Sequence, residues 1–455
     1  MASTVLMVNY LKAVGQNPDI IYRERKDGHG IKAEEVSEEY DLLIIVDSSS
    51  SEKEETNIIA QHTDIVILDH HNTDEDSESL DAILVNPNQK NCNYANKDLS
   101  GCGIVFRFLE VMDYHYKKVN LKHYLDLFGI SLLSDVMKMD VLENRYFLQE
   151  ALKNIHNKGL LALINASKLD KDNLDSQALA FSIIPIINTT ARNNQIKKAF
   201  SLFFEDDYFK AKKKADWLLK ENKERKQYVK DMTKEVEVIV ENAKFAYVIT
   251  DEGFGEYNGL IATQISSNLH KPSLVLRDAN GVYKGSARTY GDFPLQSFVK
   301  ESGLVELAAG HESAFGFQIK EENWNAFRQY VEDNIDESLF EPVIEYDLEI
   351  NEEDFDWDLM DGITEFNKMW GNGSPPVTVK LNKVFVEDRQ VFPPKNPSHV
   401  KIIADKFDLL KFNDDEYGND VSSWDNICVI GSLGINEWGG QRRMQMFIED
   451  YKKID

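Results

Sequence analysis

Two short apolar runs, each closed by an acid, set the tightest limit on the fold. Asp41-Leu-Leu-Ile-Ile-Val-Asp47 and Asp64-Ile-Val-Ile-Leu-Asp69 are continuously apolar rather than alternating. Such runs fit parallel strands buried on both faces. Between them Ser51 precedes Glu52, Glu54 and Glu55, a cap and an acidic first turn for a helix. Residues 82–85 read as a third strand, closed by Asn86-Pro87. Ser100 is placed to cap a helix through about Met112, and a further apolar helix is expected near Leu121 to Met139. This alternation predicts an α/β fold with a doubly wound parallel sheet.

In an open parallel sheet, ligands gather at the carboxyl ends of the strands. Asp47 and Asp69-His70-His71 are therefore expected in one crevice. Mixed Asp and His donors suit Mn²⁺, or Mg²⁺ where oxygen ligands dominate. Asp135 closes Leu132-Leu-Ser-Asp135, where an acid is costly unless paired or ligated. Taken singly, an Asp after a strand fits a turn or cap, and Asp135 fits a buried cap. Their convergence with consecutive Asp-His-His favours a metal site. His29, His62, His115, His123, His156, His270 and His399 stand in polar or helical contexts and are read as surface residues.

Downstream, residues 211–243 contain no Gly or Pro and predict one long helix joining two domains. Lys210 to Lys230 holds nine bases against three acids. A solvated face and a phosphate-facing stripe both fit this pattern. Strands at Phe245–Thr250, Pro272–Leu276 and Tyr283–Ala287, with a helix at Gly259–Leu269, imply a smaller α/β domain. It carries Lys284-Gly-Ser286-Ala-Arg288 and Ala309-Gly310-His311. Arg288 offers a planar fork for phosphate. Gly310 permits close backbone approach, and His311 beside unpaired N–H groups suits an anion. A Gly-rich helix cap or tight turn is the plainer reading of Gly310-His311. From about residue 375 the chain is β-rich, suggesting a small antiparallel barrel.

The net charge is −27, from 51 Lys and Arg against 78 Asp and Glu. About half of it lies in Glu332 to Asp361, which has fourteen acids and no Lys or Arg. That stretch reads as a solvated acidic connector packed on a domain, or as a nucleic-acid mimic or a partner-docking segment. The acidity argues against indiscriminate polyanion binding and restricts any nucleic-acid contact to a basic path. Three distant cysteines exclude a disulfide framework and a Cys-based zinc cluster. Without a long apolar run or a basic-plus-apolar leader, neither a membrane span nor a secretory signal is expected. A cytoplasmic location follows.

These motifs, in this order, resemble the DHH superfamily of phosphoesterases, and most fully the RecJ-type single-strand-specific exonucleases. Val46-Asp47 resembles the second metal motif and Asp69-His70-His71 the signature. Asn86-Pro87 with Leu99-Ser-Gly-Cys-Gly103 resembles the segment that follows, and Asp135 with Asn144-Arg145 the next metal motif. Pro185-Ile-Ile-Asn188 and Arg192 resemble the end of the catalytic core. Asn222 and Arg225 resemble the connecting helix. Gly285-Ser286-Ala-Arg288 and Gly310-His311 with Gly316 resemble the DHH-associated domain. Gly371-Asn-Gly-Ser-Pro-Pro376 resembles the lead-in to the OB-fold. The resemblance implies a catalytic core over 1–195, a connecting basic helix region over 196–243 and a DHH-associated domain over 244–335. An acidic connector over 336–370 and an OB-fold-like domain over 371–455 follow. The family's first motif, Asp-x-Asp-Gly, is absent. The expectation is that it lies upstream in the reading frame.

The resemblance implies metal-dependent 5′→3′ removal of mononucleotides from single-stranded DNA. Asp47, His70 and Asp135 would hold Mn²⁺ or Mg²⁺, Asp69 would orient a histidine, and His71 would face the scissile phosphate. Arg192, Ser286, Arg288, Gly310 and His311 would grip substrate phosphate. Single-stranded DNA is the expected partner, with a single-strand-binding, replication or repair protein as a second. Two alternatives stay open. One is a phosphodiesterase for short oligonucleotides or cyclic dinucleotides, which would need neither the long basic helix nor the barrel. The other is a non-catalytic nucleic-acid-binding scaffold, favoured by the missing motif and opposed by the intact Asp-His-His and Asp135.

Overall fold

Both faces of the amino-terminal sheet are buried, which explains its continuously apolar strands. The computed structural model describes every residue except 25, 26, 29, 74–79, 238, 239, 341–343, 393–398, 413–420, 439 and 455. His29 thus lies outside the described residues. Strands β1 (Leu42–Val46), β2 (Asp64–Leu68) and β3 (Ile83–Val85) pair in parallel in that order, with Val46 opposite Leu68 and Leu68 opposite Val85. Ile45, Ile65 and Ile67 pack with Ile31, Val36 and Ile59 of α2 (Lys53–Ile59) on one face. Leu68, with Ile44, Val46 and Val66, faces the main core. That core is built by α1 (Ala2–Ala13), α3 (Gly101–Tyr116), α4 (Leu125–Ser134), α5 (Leu142–Lys153) and α6 (Lys158–Ala166). A turn of helix, α7 (Ser176–Ala178), runs through a π-turn at Leu179–Ile183 into α8 (Ile184–Arg192), and α9 (Ile196–Phe203) follows.

The α/β expectation holds, with three local corrections. The helix expected from Leu121 to Met139 is a 3₁₀ turn at Leu121–Tyr124 followed by α4, which ends at Ser134 and leaves Asp135 as its C-cap. Glu52 rather than Ser51 stands at the N-cap of α2. Ser100 does cap α3, accepting from the Gly103 N–H at 3.2 Å. His62, His115, His123, His156 and His270 are exposed, whereas His399 is half-buried.

The chain forms two compact units, Met1–Leu219 with Ile344–Asp455, and Lys220–Val343. Helix α10 (Tyr208–Glu237) begins in the first and continues into the second, ending six residues short of Ala243. The second unit holds β4 (Glu241–Asn242), β5 (Ala246–Thr250), α11 (Asn258–Leu269), β6 (Ser273–Asp278) and β7 (Val282–Arg288). It continues with α12 (Leu295–Glu301), β8 (Leu307–His311), β9 (Ala314–Lys320) and α13 (Glu321–Asn334). The sheet order is β4-β5-β6-β7-β9-β8, with only β5 and β6 parallel. Gly310-His311 therefore ends a strand before a hairpin turn and does not open a helix.

The carboxy-terminal domain is a seven-stranded sheet. Its strands are β10 (Leu348–Ile350), β11 (Thr378–Phe385), β12 (Asp388–Phe392), β13 (His399–Ile403), β14 (Phe407–Phe412), β15 (Asn426–Trp438) and β16 (Gln441–Ile454). Their order is β10-β11-β15-β16-β14-β13-β12. The pairs β10–β11 and β14–β16 are parallel, so the sheet is mixed rather than wholly antiparallel. The stretch expected as an acidic connector over 336–370 supplies the edge strand β10 and α14 (Trp357–Asn367). Phe355, Met360 and Ile363 from it are buried in this domain's core. Its acids lie between inward apolar positions, so it packs on the domain as expected, but as a regular strand and helix rather than as a connector. Among the described residues no helix is long and apolar enough to cross a membrane.

Candidate metal centre and phosphate site

Adjacent parallel strands bring Asp47 and Asp69-His70-His71 to one sheet edge. One ligand atom from each of Asp47, Asp69, His70 and His71 lies within 4.8 Å of the others. Their roles differ. Asp69 is 0% exposed and its carboxylate is fully engaged. Oδ2 accepts from the Ser50 N–H at 3.1 Å. Oδ1 accepts from the N–H groups of His70 and His71 at 2.8 and 3.4 Å and lies 2.7 Å from His71 Nδ1. Burial pushes the acid up, but the bonds from His71 and Ser50 outweigh it and hold Asp69 well below the usual carboxylate range. A carboxylate so occupied orients histidine rather than ligating. Asn86 braces the same turn, donating to Ser50 Oγ and to the His71 carbonyl, each at 2.9 Å. Asn88 donates to the His70 carbonyl at 2.6 Å. Sequence reasoning assigned neither Asn88 nor Ser50 a part in this brace.

Asp47 adopts a left-handed backbone (φ 65), which a short Asp side chain tolerates. Its Oδ1 lies 3.3 Å from His70 Nε2, and its Oδ2 accepts from Ser3 Oγ at 3.2 Å. Burial raises Asp47, yet the His70 contact prevails and lowers it. For His70 burial acts downward, and the Asp47 hydrogen bond raises it. Asp135 shares a cavity of about 210 Å³ with Asp47, lined also by Ser3, Ser131, Ser134 and Asn188. Its carboxylate is outside the four-residue cluster. Burial first, and then repulsion from Asp47, push its pKa up. Two carboxylates at one cavity, with an imidazole 3.3 Å from one of them, make a donor set that fits a divalent cation. Arg192 ends α8, whose Asn188, Thr190 and Ala191 line the same cavity.

The second unit carries the remaining predicted residues. Ser286, Gly316 and Ala309 form one rung across β7, β9 and β8, and Arg288, Ala314 and His311 form another two residues along. Paired positions share a sheet face, so Ser286, Arg288 and His311 lie on one side. Burial lowers the pKa of Arg288, and its Nη1 donates to the Ala287 carbonyl at 2.7 Å. A Cβ on Gly259 would stand 2.3 Å from Arg288 Nη2 and 3.5 Å from Ser286 Oγ. Gly259 thus lets the first turn of α11 approach these two side chains. A helix start, a guanidinium and a hydroxyl are groups that suit an anion. Gly259, read only as a helix start in the sequence, belongs with them.

Two further surfaces bear on a polymeric substrate. On α10, Lys212, Lys213, Lys223 and Lys226 are exposed, but Lys214 turns inward to the Ser201 carbonyl and Glu205 at 2.7 and 2.8 Å. On the carboxy-terminal sheet, Phe392, His399 and Phe412 are register partners with ring centroids 5.0 and 5.1 Å apart. Phe447 lies 6.0 Å beyond Phe412. A Cβ on Gly434 would meet the Phe447 ring at 2.6 Å, so this glycine makes room for it. Phe412 and Phe447 are 47% and 36% exposed, large enough fractions to offer ring faces to a ligand. The alternate residues Val400, Ile402, Leu409 and Met446 form the core on the opposite face. This row was missed because its members come from four separate segments.

A parallel sheet edged by Asp47 and Asp-His-His, followed by a second α/β unit and a β-rich domain, is the build of a DHH-type phosphoesterase. Residues 1–131 match the DHH family, N-terminal domain, and residues 346–450 match the RecJ OB domain. The chain is RecJ-like, carrying both of these domains. It is 27% identical to the putative SPbeta prophage-derived single-strand DNA-specific exonuclease YorK of Bacillus subtilis, over 99% of this chain and 85% of that protein. It is also 27% identical to the single-stranded-DNA-specific exonuclease RecJ of Bacillus subtilis, over 99% of this chain but 59% of that longer protein. The structure of RecJ from Thermus thermophilus in complex with Mn²⁺ superposes with a TM-score of 0.78 at 21% identity. It covers 100% of this chain and 67% of that one, and a second structure of the same protein contains Mg²⁺.

Proposed function

We propose that this chain is a metal-dependent exonuclease acting on single-stranded DNA. The observation that supports the reading is the approach of Asp47 to His70, with Asp135 in the cavity beside Asp47 and His71 held by Asp69. Asp47 and Asp135 would hold Mn²⁺ or Mg²⁺ through carboxylate oxygens and His70 through its imidazole. When bound, the ion lowers the pKa of a coordinated water and polarises a phosphoryl oxygen. His71 is kept in register through Nδ1. The Asp69 hydrogen bond raises its pKa above that of a free imidazole, which favours the protonated form that could donate to a phosphate. Ser286, Arg288, His311 and the start of α11 would take a backbone or terminal phosphate. Exposed lysines of α10 and the Phe392–His399–Phe412–Phe447 row would receive the strand, since stacking on aromatic rings tolerates every base.

The row favours a polymer over a dinucleotide, which needs no extended stacking surface. The proposed division of labour is catalysis by 1–195, phosphate binding by 244–335 and strand binding by the carboxy-terminal sheet. The test is Mn²⁺-dependent nucleotide release from a 5′-phosphorylated strand of about thirty nucleotides. His70→Ala and Asp135→Ala should each lower the rate by more than about 100-fold. Full activity in either variant would remove that residue from the metal site.

A further inference from the structure

The turn at Gly371–Ser374 makes a contact that strand binding does not require. It reaches the loop directly after Asp135. Helix α4 closes with Asp135 as its last cap, and Val136 then takes φ 55. The Val136 N–H donates to the Leu133 carbonyl at 3.3 Å and the Met137 N–H to the Leu132 carbonyl at 2.9 Å. This is the left-handed helix ending that normally takes glycine. A β-branched residue there is an outlier. The Val136 side chain is 63% exposed, so core packing does not hold it in place.

Asn372 grips the loop from both sides. Its Nδ2 donates to the Val136 carbonyl at 2.9 Å, and its own carbonyl accepts from the Met139 N–H at 2.7 Å. The two flanking glycines are what allow the approach. A Cβ on Gly371 would stand 2.6 Å from Met139 Cγ. One on Gly373, whose φ is 73, would stand 2.9 Å from Asp140 Oδ1. Paired bonds close the turn, from the Gly371 N–H to the Ser374 carbonyl at 2.8 Å and from the Ser374 N–H to the Gly371 carbonyl at 3.0 Å. Arg145 anchors it from α5, donating to Ser374 Oγ at 3.0 Å and to the Phe366 carbonyl at 2.8 Å.

We propose that Asn372 is a positioning residue for the metal centre: it latches the strained Val136 peptide and so fixes the backbone that presents Asp135. Strained backbone persists where surrounding contacts over-determine it, and here the turn supplies those contacts. The strand-binding domain thereby sets the geometry of a candidate ligand on the catalytic core. The inference rests on Asp135 being a ligand, and its test separates the two ideas.

Mn²⁺ affinity, followed by the loss of the free-ion paramagnetic signal, is measured for the full chain and for Asn372→Ala, Val136→Gly and the double variant. Amide exchange at Val136 and Met137 is followed in the same proteins without metal. Asn372 is exposed, so its truncation leaves the core intact. The latch predicts that Asn372→Ala weakens Mn²⁺ binding about tenfold and speeds exchange at both amides. Val136→Gly removes the strain, so the double variant should recover most of the affinity and protection. Wild-type affinity in Asn372→Ala overturns the proposal, as does a defect that Val136→Gly fails to rescue. If the wild-type chain binds no Mn²⁺, the metal reading itself fails. The latch then stands or falls on the exchange rates and their rescue alone.

Discussion

Adding a single methyl group at Gly101 should empty the metal centre while leaving the fold standing. Gly101 opens α3, and a Cβ built there would lie 2.0 Å from Asp47 Oδ1, 2.4 Å from its Cγ and 2.7 Å from its Cβ. Non-bonded heavy atoms settle at about 3.5 Å, so the Asp47 carboxylate must retreat by more than about 1 Å. It would leave both His70 Nε2 and Ser3 Oγ. A 1 Å misplacement of a reacting group costs about 100-fold, equivalent to roughly 2.7 kcal/mol. Gly101 is the first residue of α3, so the preference for Ala over Gly of up to about 1 kcal/mol in a helix interior is an upper bound on what the helix gains. Gly101→Ala should therefore weaken Mn²⁺ binding and nucleotide release by about 100-fold with a nearly unchanged melting temperature. Gly362→Ala is the control, since a Cβ there meets nothing within 4 Å. Calorimetric Mn²⁺ titration beside metal-free melting distinguishes the two. Mn²⁺ affinity within twofold of wild type in Gly101→Ala would refute the claim that Asp47 is held against α3 as a ligand.

The Asp69–His71 pair makes a pH prediction. Asp69 is depressed, so its contribution is present above the unfolded Asp pKa of about 3.9 and fades as pH falls through its folded value. His71 is raised, so its contribution is full below about 6.5 and fades as pH rises through its folded value. The melting-temperature difference between wild type and Asp69→Asn, measured without metal, should peak between about pH 4 and 6.5; a flat difference would mean that the pair is not coupled. Phe412→Ala should weaken binding of a thirty-nucleotide strand by about 1–3 kcal/mol and leave dinucleotide hydrolysis unchanged. Equal loss on both substrates would place the aromatic row outside the strand path.

Legibility in the sequence tracked how local the controlling physics was. The apolar runs of β1 and β2 announced a sheet covered on both faces, and Ile45 and Val46 do bury on opposite sides of it. The β-rich end was visible as strands but not as a mixed sheet. Pairing Leu410 with Phe447 in parallel is a relation between distant segments that neither strand's pattern encodes. Among the fourteen acids of Glu332 to Asp361 stand four buried apolar residues, Ile335, Phe340, Phe355 and Met360. Net charge reports on the surface and not on the packing beneath it.

The site divides along the same line. Asp47 and Asp69-His70-His71 were legible because strand ends in a parallel sheet converge by construction. Asp135 stood out because an acid closing an apolar helix is costly unless paired or ligated, and in the structure its Oδ1 accepts from Ser134 Oγ at 3.0 Å. What could not be read is how these groups are held. Gly101 matters only because Asp47 occupies the space its Cβ would fill, and Asn372 only because Val136 is strained across from it. Both stand in segments quoted for the resemblance, Leu99-Ser-Gly-Cys-Gly103 and Gly371-Asn-Gly-Ser-Pro-Pro376, but neither side chain carries chemistry, so the segments alone do not say what each residue does. Each acts by fixing a neighbour far away in the chain. A search limited to ionisable and nucleophilic residues therefore finds candidate donors and overlooks the contacts that set their geometry. Small deletions of volume or strain at Gly101, Asn372 and Val136 consequently test the site more sharply than removing a ligand, because they change position while leaving every candidate donor in the chain.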